Sequence, residues 1–355
     1  MDRLKTAIEK AMEGARLDTE DALALYTKAD LLALGRLAAR QRWRLRPEPV
    51  ATFVVDRNIN YTNICVSGCL FCAFHAAPGS PDGYVLSEAE LEKKLSETVS
   101  LGGTQVLLQG GMNPDLDLAY YKGLLRFIKS VSGLHIHGFS PPEIAFFSKQ
   151  WGLSVEAVLR ELVAAGLDSI PGGGAEILAD EIRNKISPGK CDAATWLDVM
   201  ETAHTIGLRS SATMMFGHVE TPRHLIDHLM AIRNLQDRTS GFTAFIPWSF
   251  QPQNTRLKGT PASAVDYLKV VALSRLVLDN VPNIQASWVT QGDKISQVAL
   301  GFGANDMGST MIEENVVAAA GVRFRLPREA IIRLIEGAGL RAAQRDCFYR
   351  ILQYH

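Results

Sequence analysis

Three of the five cysteines lie within eight residues, and this spacing constrains the chain more than any other feature of its sequence. Cys65, Cys69 and Cys72 follow the pattern C-x3-C-x2-C. Thiolates are soft ligands for zinc, copper(I) or iron–sulfur clusters, and three this close meet on one centre only if the backbone loops around it. Ser67 and Gly68 are residue types that form such bends. The run therefore predicts a metal centre held within one loop.

A structural zinc site and a disulfide both fit this run less well than an iron–sulfur cluster. Structural zinc has four protein ligands, usually in two pairs, and no second pair lies near Cys191 or Cys347. Nothing at the start of the chain resembles a signal peptide, and a chain of 355 residues does not need disulfides to fold. We therefore expect Cys191 and Cys347 to be buried, inert thiols.

Three thiolates on a 4Fe-4S cluster leave one of its four irons without a protein ligand. An open coordination position can bind a small molecule, as the open position of a catalytic zinc does. The sequence thus favours a catalytic cluster over an electron carrier, because a carrier usually supplies a fourth cysteine. A fourth ligand such as Cys191 would close that position.

The composition is typical of a large globular protein and argues against nucleic-acid or membrane binding. With 47% hydrophobic and 21% charged residues, the chain can bury the core of a single barrel with extensions. A net charge of −1 and a pI near 6.7 leave no excess of basic groups for nucleic acid or anionic lipid. No apolar run reaches membrane-spanning length. Because oxygen destroys an exposed cluster, we expect a cytoplasmic protein.

Short apolar stretches alternate with amphipathic helical patterns, which favours an α/β fold, a parallel (β/α)8 TIM-type barrel, over a doubly wound sheet. Residues 50–55 are one strand candidate. Helix starts are indicated by a capping box at Ser87 and Glu90 and by the pairs Thr221–Pro222 and Thr260–Pro261. The eight predicted barrel strands are residues 59–64, 105–108, 134–139, 168–170, 210–215, 243–246, 284–288 and 303–306.

The pattern divides the chain into three parts. Residues 1–50 have leucines at helical spacing and are predicted to form an N-terminal helical extension. Residues 51–320 are predicted to form the barrel. Residues 321–355 contain an amphipathic helical pattern and are predicted to fold back as a C-terminal capping segment over one mouth.

Glycine-rich loops follow two of the predicted strands, at the barrel end where active sites lie. Gly110 and Gly111 would let the backbone approach a ligand, with amides free to donate, although glycine pairs are also common in turns. The run 172–174 suggests another close approach. Phosphate binding is one interpretation of this run, but the run lacks the lysine and threonine of a Walker loop. Ser140 is a candidate donor to a ligand, and Glu176 a candidate acceptor or a helix cap.

Later loops carry candidate catalytic and substrate-binding residues. His218 has a side chain that can accept a proton near neutral pH, and Glu220 lies beside it; the alternative is a capping Glu220 and a hydrogen-bonded His218. Asp306 is the third catalytic candidate. The aromatic and amide side chains that suit a substrate are Trp248, Gln251, Asn254 and Trp288, together with Ser140.

A histidine pair supports a rival hypothesis. His135 and His137 alternate on a strand and point to the same face, as metal ligands do in barrel hydrolases. With His218 and Asp306 they would form a hydrolase site, and the cysteines would be structural. No carboxylate-rich ligand set follows the pair, so we interpret it as packing or substrate contact.

The cysteine run, with Phe71 before its last cysteine, resembles the radical S-adenosylmethionine (SAM) superfamily. Residues 107–115, 169–177 and 214–220, with the loop at Ser140, resemble the radical SAM enzymes of the futalosine route to menaquinone. They are most similar to the cyclases of that route, then to the aminofutalosine synthases, then to the subunits of deazariboflavin synthase. The resemblance covers residues 58–254.

This resemblance implies two cofactors, one 4Fe-4S cluster and SAM, and it implies roles for the candidate residues. Cys65, Cys69 and Cys72 would ligate the cluster. The residues implied to bind the cofactors are Phe71, Phe74, Gly110, Gly111, Ser140 and Glu176. In this superfamily the open iron binds SAM, whose cleavage yields a 5′-deoxyadenosyl radical.

For the cyclases the resemblance also implies a reaction and its partners. The radical removes hydrogen from C4′ of a ribose, and the carbon radical adds to an attached benzoate ring. The implied partners are the small-molecule substrate and an electron donor such as flavodoxin or ferredoxin. Nucleic acid and membranes are not expected partners.

Overall fold

Parallel strands alternate with helices through most of the chain, in a computed structural model that describes residues 2–322 and 324–355. Six strands form one parallel sheet in the order β2-β3-β4-β5-β6-β7. They are Asp56–Ile59 (β2), Gln105–Leu108 (β3), His135–Gly138 (β4), Ser169–Ile170 (β5), Arg209–Phe216 (β6) and Phe242–Ser249 (β7).

A second sheet, with the order β10-β9-β1-β8, completes the barrel. Its strands are Val50–Val54 (β1), Asp306–Ser309 (β8), Arg341–Arg345 (β9) and Ile351–Tyr354 (β10). β1 pairs in parallel with β8 and leads directly into β2. Isolated bridges from Phe245 to Ile284 and from Gln285 to Asp306 join β7 to β8. The strands therefore close into a TIM-type α/β barrel, which confirms the predicted fold class.

Several predicted boundaries were wrong. The strand predicted at residues 59–64 ends at Ile59, because the polar side chains that follow bond to the next loop: Thr62 Oγ1 donates to Tyr84 O at 2.6 Å and Asn63 Nδ2 to Asp82 O at 2.9 Å. The strand predicted at 284–288 is reduced to two bridges, since Trp288 already begins a helix. The strand predicted at 303–306 begins only at Asp306.

Helices cover the outside of the barrel. They are α1 Arg3–Glu13, α2 Thr19–Lys28, α3 Leu31–Leu45, α4 Glu88–Ser100, α5 Leu118–Ser132, α6 Pro141–Trp151, α7 Val155–Ala165, α8 Asp180–Ile186, α9 Ala193–Thr205, α10 Pro222–Thr239, α11 Ala264–Val277, α12 Trp288–Ala299, α13 Val316–Ala319 and α14 Arg328–Gly337. The predicted starts of α4 and α10 are confirmed. The start predicted at Thr260 was wrong, because a capping box of Ser263 and Asp266 begins α11.

The two ends of the chain attach to the barrel in different ways. The N-terminal helices pack their apolar faces against α11, where Leu25 and Leu34 meet Ala272 and Leu276 in a separate apolar cluster. The C-terminal β9 instead extends the sheet, since it pairs in parallel with β1. In the turn between β9 and β10, Cys347 lies 3.4 Å from Ser169 and Phe348 packs on His135, the first residues of β5 and β4, so the turn enters the barrel from the end where these strands start.

Within the described ranges, no helix is both long enough and apolar enough to cross a bilayer.

Candidate active site

A cavity of about 400 Å³ runs through the barrel. One end is lined by the cysteine loop, residues 65–72, at the carboxyl ends of the strands. The other end is the cavity floor, which we define by Asp56, Gln105, His137, Arg345 and Tyr349. A ligand in this cavity would therefore contact the cysteine loop and the C-terminal turn at the same time.

The three thiols of the cysteine loop face the cavity together. Ser67 Oγ lies 3.0 Å from Cys65 Sγ and 3.3 Å from Cys69 Sγ, and Cys72 lines the same wall. The amide of Met112 donates to Cys65 Sγ at 3.3 Å. Sulfur atoms that accept hydrogen bonds and share one wall are arranged as ligands of one centre.

The surroundings of these thiols affect their pKa values differently. Burial raises the pKa of Cys69, and Lys190 opposes that effect. Burial also acts to raise the pKa of Cys72, but hydrogen bonds from the His75 side chain and from the Phe74 and His75 backbone outweigh it and lower that pKa. Because a metal ligand must be a thiolate, the contacts of Cys72 favour binding.

The remaining two cysteines are not part of the cysteine loop, and Cys191 is not among the residues that line the cavity. The backbone carbonyl of Cys191 accepts from Arg183, and Cys347 Sγ lies on the floor, 3.4 Å from Ser169 Oγ. Burial raises the pKa of Cys347 to about 12, so it is a neutral thiol. Within residues 2–322 and 324–355 the loop thus offers three thiol ligands, and this donor set fits a 4Fe-4S cluster with one open iron.

The loop after β3 packs directly on the cysteine loop. A Cβ atom at Gly111 would overlap the carbonyl oxygen of Ile64, so only glycine fits there. The prediction that the amides of Gly110 and Gly111 are free to donate to a ligand was wrong. Gly111 N donates to Thr62 O at 3.0 Å, and Gly110 N donates to Glu143 Oε1 at 3.1 Å. The backbone carbonyls of Gly110 and Gly111 are the groups left to contact a ligand, and a carbonyl oxygen can accept a hydrogen bond from a cationic amino group.

Glu143 joins three parts of this wall. Its carboxylate accepts from Tyr61 Oη at 2.7 Å and from Gly110 N, and its other oxygen accepts from Ser140 N and Oγ at 2.7 and 2.6 Å. Burial raises the pKa of Glu143. The Ser140 hydroxyl proton is thereby used within the protein, which leaves its oxygen as an acceptor toward the cavity.

The glycine run lies where three walls meet. A Cβ at Gly172 would lie 2.5 Å from the Cα of Ala212, and one at Gly174 would overlap Pro142. The buried Arg183 holds the run by donating to the carbonyls of Gly174 and Ala175. The run therefore brings bare backbone to the cavity wall.

Lys190 and Glu176 form a buried ion pair beside the cysteine loop. Their Nζ and Oε1 atoms are 2.6 Å apart, and the Lys190 ammonium lies 5.1 Å from the centre of the Phe71 ring. Burial acts to lower the pKa of Lys190, but Cys69 and Glu176 outweigh it and raise that pKa. Glu176 has a φ of 45°, in the left-handed region, which turns it into the cavity. No pattern in the sequence pointed to Lys190, because this residue follows a helix rather than a strand.

Eight of the predicted cofactor and substrate residues line the cavity with the three cysteines. They are Phe71, Phe74, Gly110, Gly111, Ser140, Glu176, Trp248 and Trp288. Trp288 is fixed by a 2.9 Å hydrogen bond from Nε1 to Ser309 O.

The other predicted substrate contacts lie outside the cavity lining. Gln251 donates to Ser249 O at 3.1 Å, and Asn254 donates to Ala319 O at 3.1 Å. Both amides are therefore used to hold the loop after β7.

The predicted catalytic pair His218 and Glu220 also lies outside the lining. Glu220 accepts from Gly217 N and His218 N at 2.5 and 2.9 Å, and His218 Nδ1 accepts from Val219 N at 2.7 Å. Burial lowers the pKa of His218, although Glu220 opposes that effect. These contacts match the alternative in which both residues hold the turn before α10.

Asp306, the third predicted catalytic residue, is fully buried in an ion pair. Its carboxylate accepts from Arg345 Nε and Nη2 at 2.6 and 3.0 Å and from the Thr52 hydroxyl at 2.5 Å. Arg345, not Asp306, reaches the cavity. The sequence could not show this because the partner comes from β9, far along the chain.

Asp56 and Gln105 are polar floor residues that the sequence analysis missed. Asp56 Oδ2 accepts from Gln105 Nε2 at 2.9 Å, and its Oδ1 accepts from the Ser309 hydroxyl. Burial raises the pKa of Asp56. Gln105 Oε1 is buried without a partner among the described residues. For Gln105 the available signal was a polar residue in an otherwise apolar strand, whereas β2 around Asp56 is mostly polar.

His135 and His137 both contact the hydroxyl of Ser169 and do not form the predicted hydrolase metal site with His218 and Asp306. Their ring nitrogens each lie 2.7 Å from Ser169 Oγ, with Cys347 on the same oxygen. Burial lowers the pKa of His137 to about 3, so it is neutral. Although the ligand atoms of His135, His137 and Cys347 lie within 4.8 Å of one another, His218 and Asp306 bond elsewhere. The hydrolase ligand set is therefore not assembled.

Comparison of the sequence with models of protein families supports the assignment of the cysteine loop to one iron–sulfur cluster. The model of the Radical SAM superfamily matches residues 59–232, and that of the CofH/MqnC C-terminal region matches residues 239–355. The chain belongs to the radical SAM superfamily, in the branch that carries this C-terminal region. Its cofactors are a 4Fe-4S cluster and SAM, which confirms that prediction.

Two relatives resemble nearly the whole chain. A cyclic dehypoxanthine futalosine synthase from Halalkalibacterium halodurans is 47% identical, over 98% of this chain and 94% of the relative. A 5-amino-6-(D-ribitylamino)uracil–L-tyrosine 4-hydroxyphenyl transferase from Methanopyrus kandleri is 41% identical, over 95% and 92%. The crystal structure of methylornithine synthase superposes with a TM-score of 0.75 at 20% identity, covering 95% of this chain and 97% of that one, and shares the fold.

Proposed function

We propose that the chain is a radical SAM cyclase that converts dehypoxanthine futalosine to cyclic dehypoxanthine futalosine in menaquinone biosynthesis. The observation that carries the proposal is the similarity, over nearly the full length, to the synthase of that name. The cavity supports it, because one space joins the cysteine loop to the floor and has aromatic and polar walls.

When bound, the cluster and SAM supply a 5′-deoxyadenosyl radical that removes a hydrogen atom from C4′ of the substrate ribose. Cys65, Cys69 and Cys72 would hold the cluster. The backbone carbonyls of Gly110 and Gly111 and the carboxylate of Glu176 would receive the SAM amino group and hydroxyls. All three residues line the cavity.

The floor would hold the ribose and the benzoate group of the substrate. Gln105 Oε1 is a buried acceptor without a partner among the described residues, and it would accept from a sugar hydroxyl. Among the described residues, Arg345 uses three of its N–H groups on Asp306 and Asp346, which leaves two of the five for a carboxylate. Trp248 and Trp288 supply apolar walls that keep the ring beside the ribose and exclude water.

We further propose Asp56 as the acceptor of the proton that the benzoate ring loses after the new carbon–carbon bond forms. Its carboxylate lines the cavity, and hydrogen bonds from Gln105 and Ser309 fix both of its oxygens. A raised pKa makes an ionised carboxylate a stronger base. Both hydrogens lost in the cyclisation are then accounted for: one leaves as an atom to the 5′-deoxyadenosyl radical, the other as a proton to Asp56, and the electron that accompanies this proton would return to the oxidised cluster.

The proposal is tested by product analysis under anaerobic conditions. Reconstituted protein is incubated with SAM, dithionite and dehypoxanthine futalosine, and we expect a product two hydrogens lighter than the substrate. The same protein is given 5-amino-6-(D-ribitylamino)uracil with tyrosine, and separately the aminofutalosine synthase substrate. Turnover of either in place of dehypoxanthine futalosine would assign the chain to that activity instead.

A further inference from the structure

The cysteine loop is clamped between two segments that reach the protein surface. On one side Leu70 N donates to Ile186 O at 2.8 Å and Gly189 N donates to Ser67 O at 3.1 Å. On the other side Leu257 N donates to Leu70 O at 2.8 Å. The residues beside these contacts therefore surround the outer side of the cluster site.

Three exposed cations lie on the two clamping segments. Lys185 precedes Ile186, while Arg256 and Lys258 flank Leu257. Arg256 Nη2 donates to Gly68 O at 2.7 Å, which places its guanidinium against the cysteine loop. Among the residues that the structure describes, none of the three cations forms an ion pair.

Acidic residues are missing from this region of the sequence. Residues 63–81, 182–190 and 251–265 contain no Asp or Glu, in a chain that has 38 acidic and 37 basic residues in total. Of the acids that flank these stretches, Glu181 lies 2.5 Å from His224 Nε2, Asp192 and Asp266 cap α9 and α11, and Asp82 is exposed. The surface over the cysteine loop is therefore basic in a protein that is otherwise almost neutral.

We propose that this surface docks an acidic protein that donates one electron at a time. We define the docking surface by the side chains of Lys185, Arg256 and Lys258 and the outer side of the cysteine loop. The inference rests on the proposed function, in which SAM cleavage requires an electron from outside. Complementary charge selects and orients the partner in an electron-transfer encounter. One electron passes from the reduced donor to the cluster, and no atom is transferred.

The test uses a double charge reversal that leaves the cavity untouched. Lys185→Glu with Lys258→Glu removes two of the three cations, and neither residue lines the cavity. The matched control is Lys5→Glu with Arg333→Glu, which changes the net charge equally on the exposed faces of α1 and α14. Arg256 is left intact, because it also holds the cysteine loop.

Binding is measured first, with an oxidised acidic flavodoxin as the probe and no turnover. By titration calorimetry we expect the double reversal to weaken flavodoxin binding roughly tenfold at low salt, as rim charges do. We expect the wild-type affinity to fall as salt is added, since exposed charges are screened. Equal affinities for the double reversal and the control would overturn the proposal.

Turnover then separates this proposal from the proposed function. With dithionite as the reductant, the wild type, double reversal and control should form 5′-deoxyadenosine equally fast. With reduced flavodoxin, the KM for flavodoxin should rise only in the double reversal. If the wild type forms no cyclic product with dithionite, the proposed function fails. If it does, but flavodoxin supports both variants equally, only the docking proposal fails.

Discussion

At the cysteine end of the cavity the loops touch mainly through backbone atoms, while at the floor buried polar side chains touch one another. Gly111 and Gly189 each leave no room for a Cβ against the cysteine loop. The floor instead depends on Asp306 paired with Arg345 and on Asp56 bonded to Gln105. The cysteine end should therefore be sensitive to substitutions that add atoms, and the floor to substitutions that remove a charge. The predictions below test this difference.

The largest effect should follow removal of a cluster ligand. We expect Cys69→Ala to lose the 4Fe-4S cluster and all detectable product, because two thiolates do not hold it. Iron and sulfide content and the visible spectrum measure this directly. Cys191→Ala is the matched control and should retain iron and activity. Loss of the cluster in the control would mean that Cys191 ligates the fourth iron.

At the floor, Arg345→Met should destabilise the fold strongly. Asp306 would remain buried without its partner, and breaking a buried ion pair in this way costs about 3–5 kcal/mol. Chemical denaturation of the protein measures the free energy of unfolding. Adding Asp306→Asn to the same chain should recover part of the loss, since it removes the unpaired charge. Equal stability of Arg345→Met and the wild type would show that the pair is not important for folding.

At the cysteine end, Gly111→Ala should act through size alone. The new Cβ would overlap the Ile64 carbonyl, and such overpacking costs about 1–3 kcal/mol. Because the strain falls on the cysteine loop, we expect lower cluster occupancy after reconstitution. Gly123→Ala in α5 meets open space and should stabilise the protein by up to about 1 kcal/mol. Equal stability and equal cluster occupancy of Gly111→Ala and Gly123→Ala would show that the loop after β3 does not pack closely on the cysteine loop.

The smallest effect concerns the proton acceptor. The pKa of Asp56 is raised, and only its ionised form accepts a proton, so the rate should fall as pH decreases through that raised pKa. Asp56→Asn should slow product formation by about tenfold, less than the roughly hundredfold or more that is typical of a general base, because the ring regains aromaticity. It should also remove this acidic limb from the pH profile. An unchanged profile would assign the proton to another group.

The sequence predicted the cysteine end better than the floor, for a physical reason. The cluster ligands are close along the chain, and glycine runs reveal close backbone approach without any knowledge of the partner. His218 and Asp306 were placed correctly after or at strands, but position after a strand does not fix where a side chain points. A local hydrogen bond within its own turn holds His218, whereas an ion pair with Arg345 of the distant β9 holds Asp306, and neither residue lines the cavity.

The missed residues depend on contacts between distant parts of the chain. Arg345 reaches the floor only because β9 pairs with β1. Lys190 reaches the cysteine loop because residues 186–190 clamp it. The barrel itself was predictable because strand and helix patterns are local, whereas these pairings are not.

The most direct test of the account follows one hydrogen atom. Dehypoxanthine futalosine carrying deuterium at C4′ is incubated anaerobically with the reconstituted protein, SAM and dithionite, and the 5′-deoxyadenosine is analysed by mass spectrometry. The account predicts that one deuterium appears in 5′-deoxyadenosine and is absent from a cyclic product. Unlabelled 5′-deoxyadenosine beside deuterated product would contradict it.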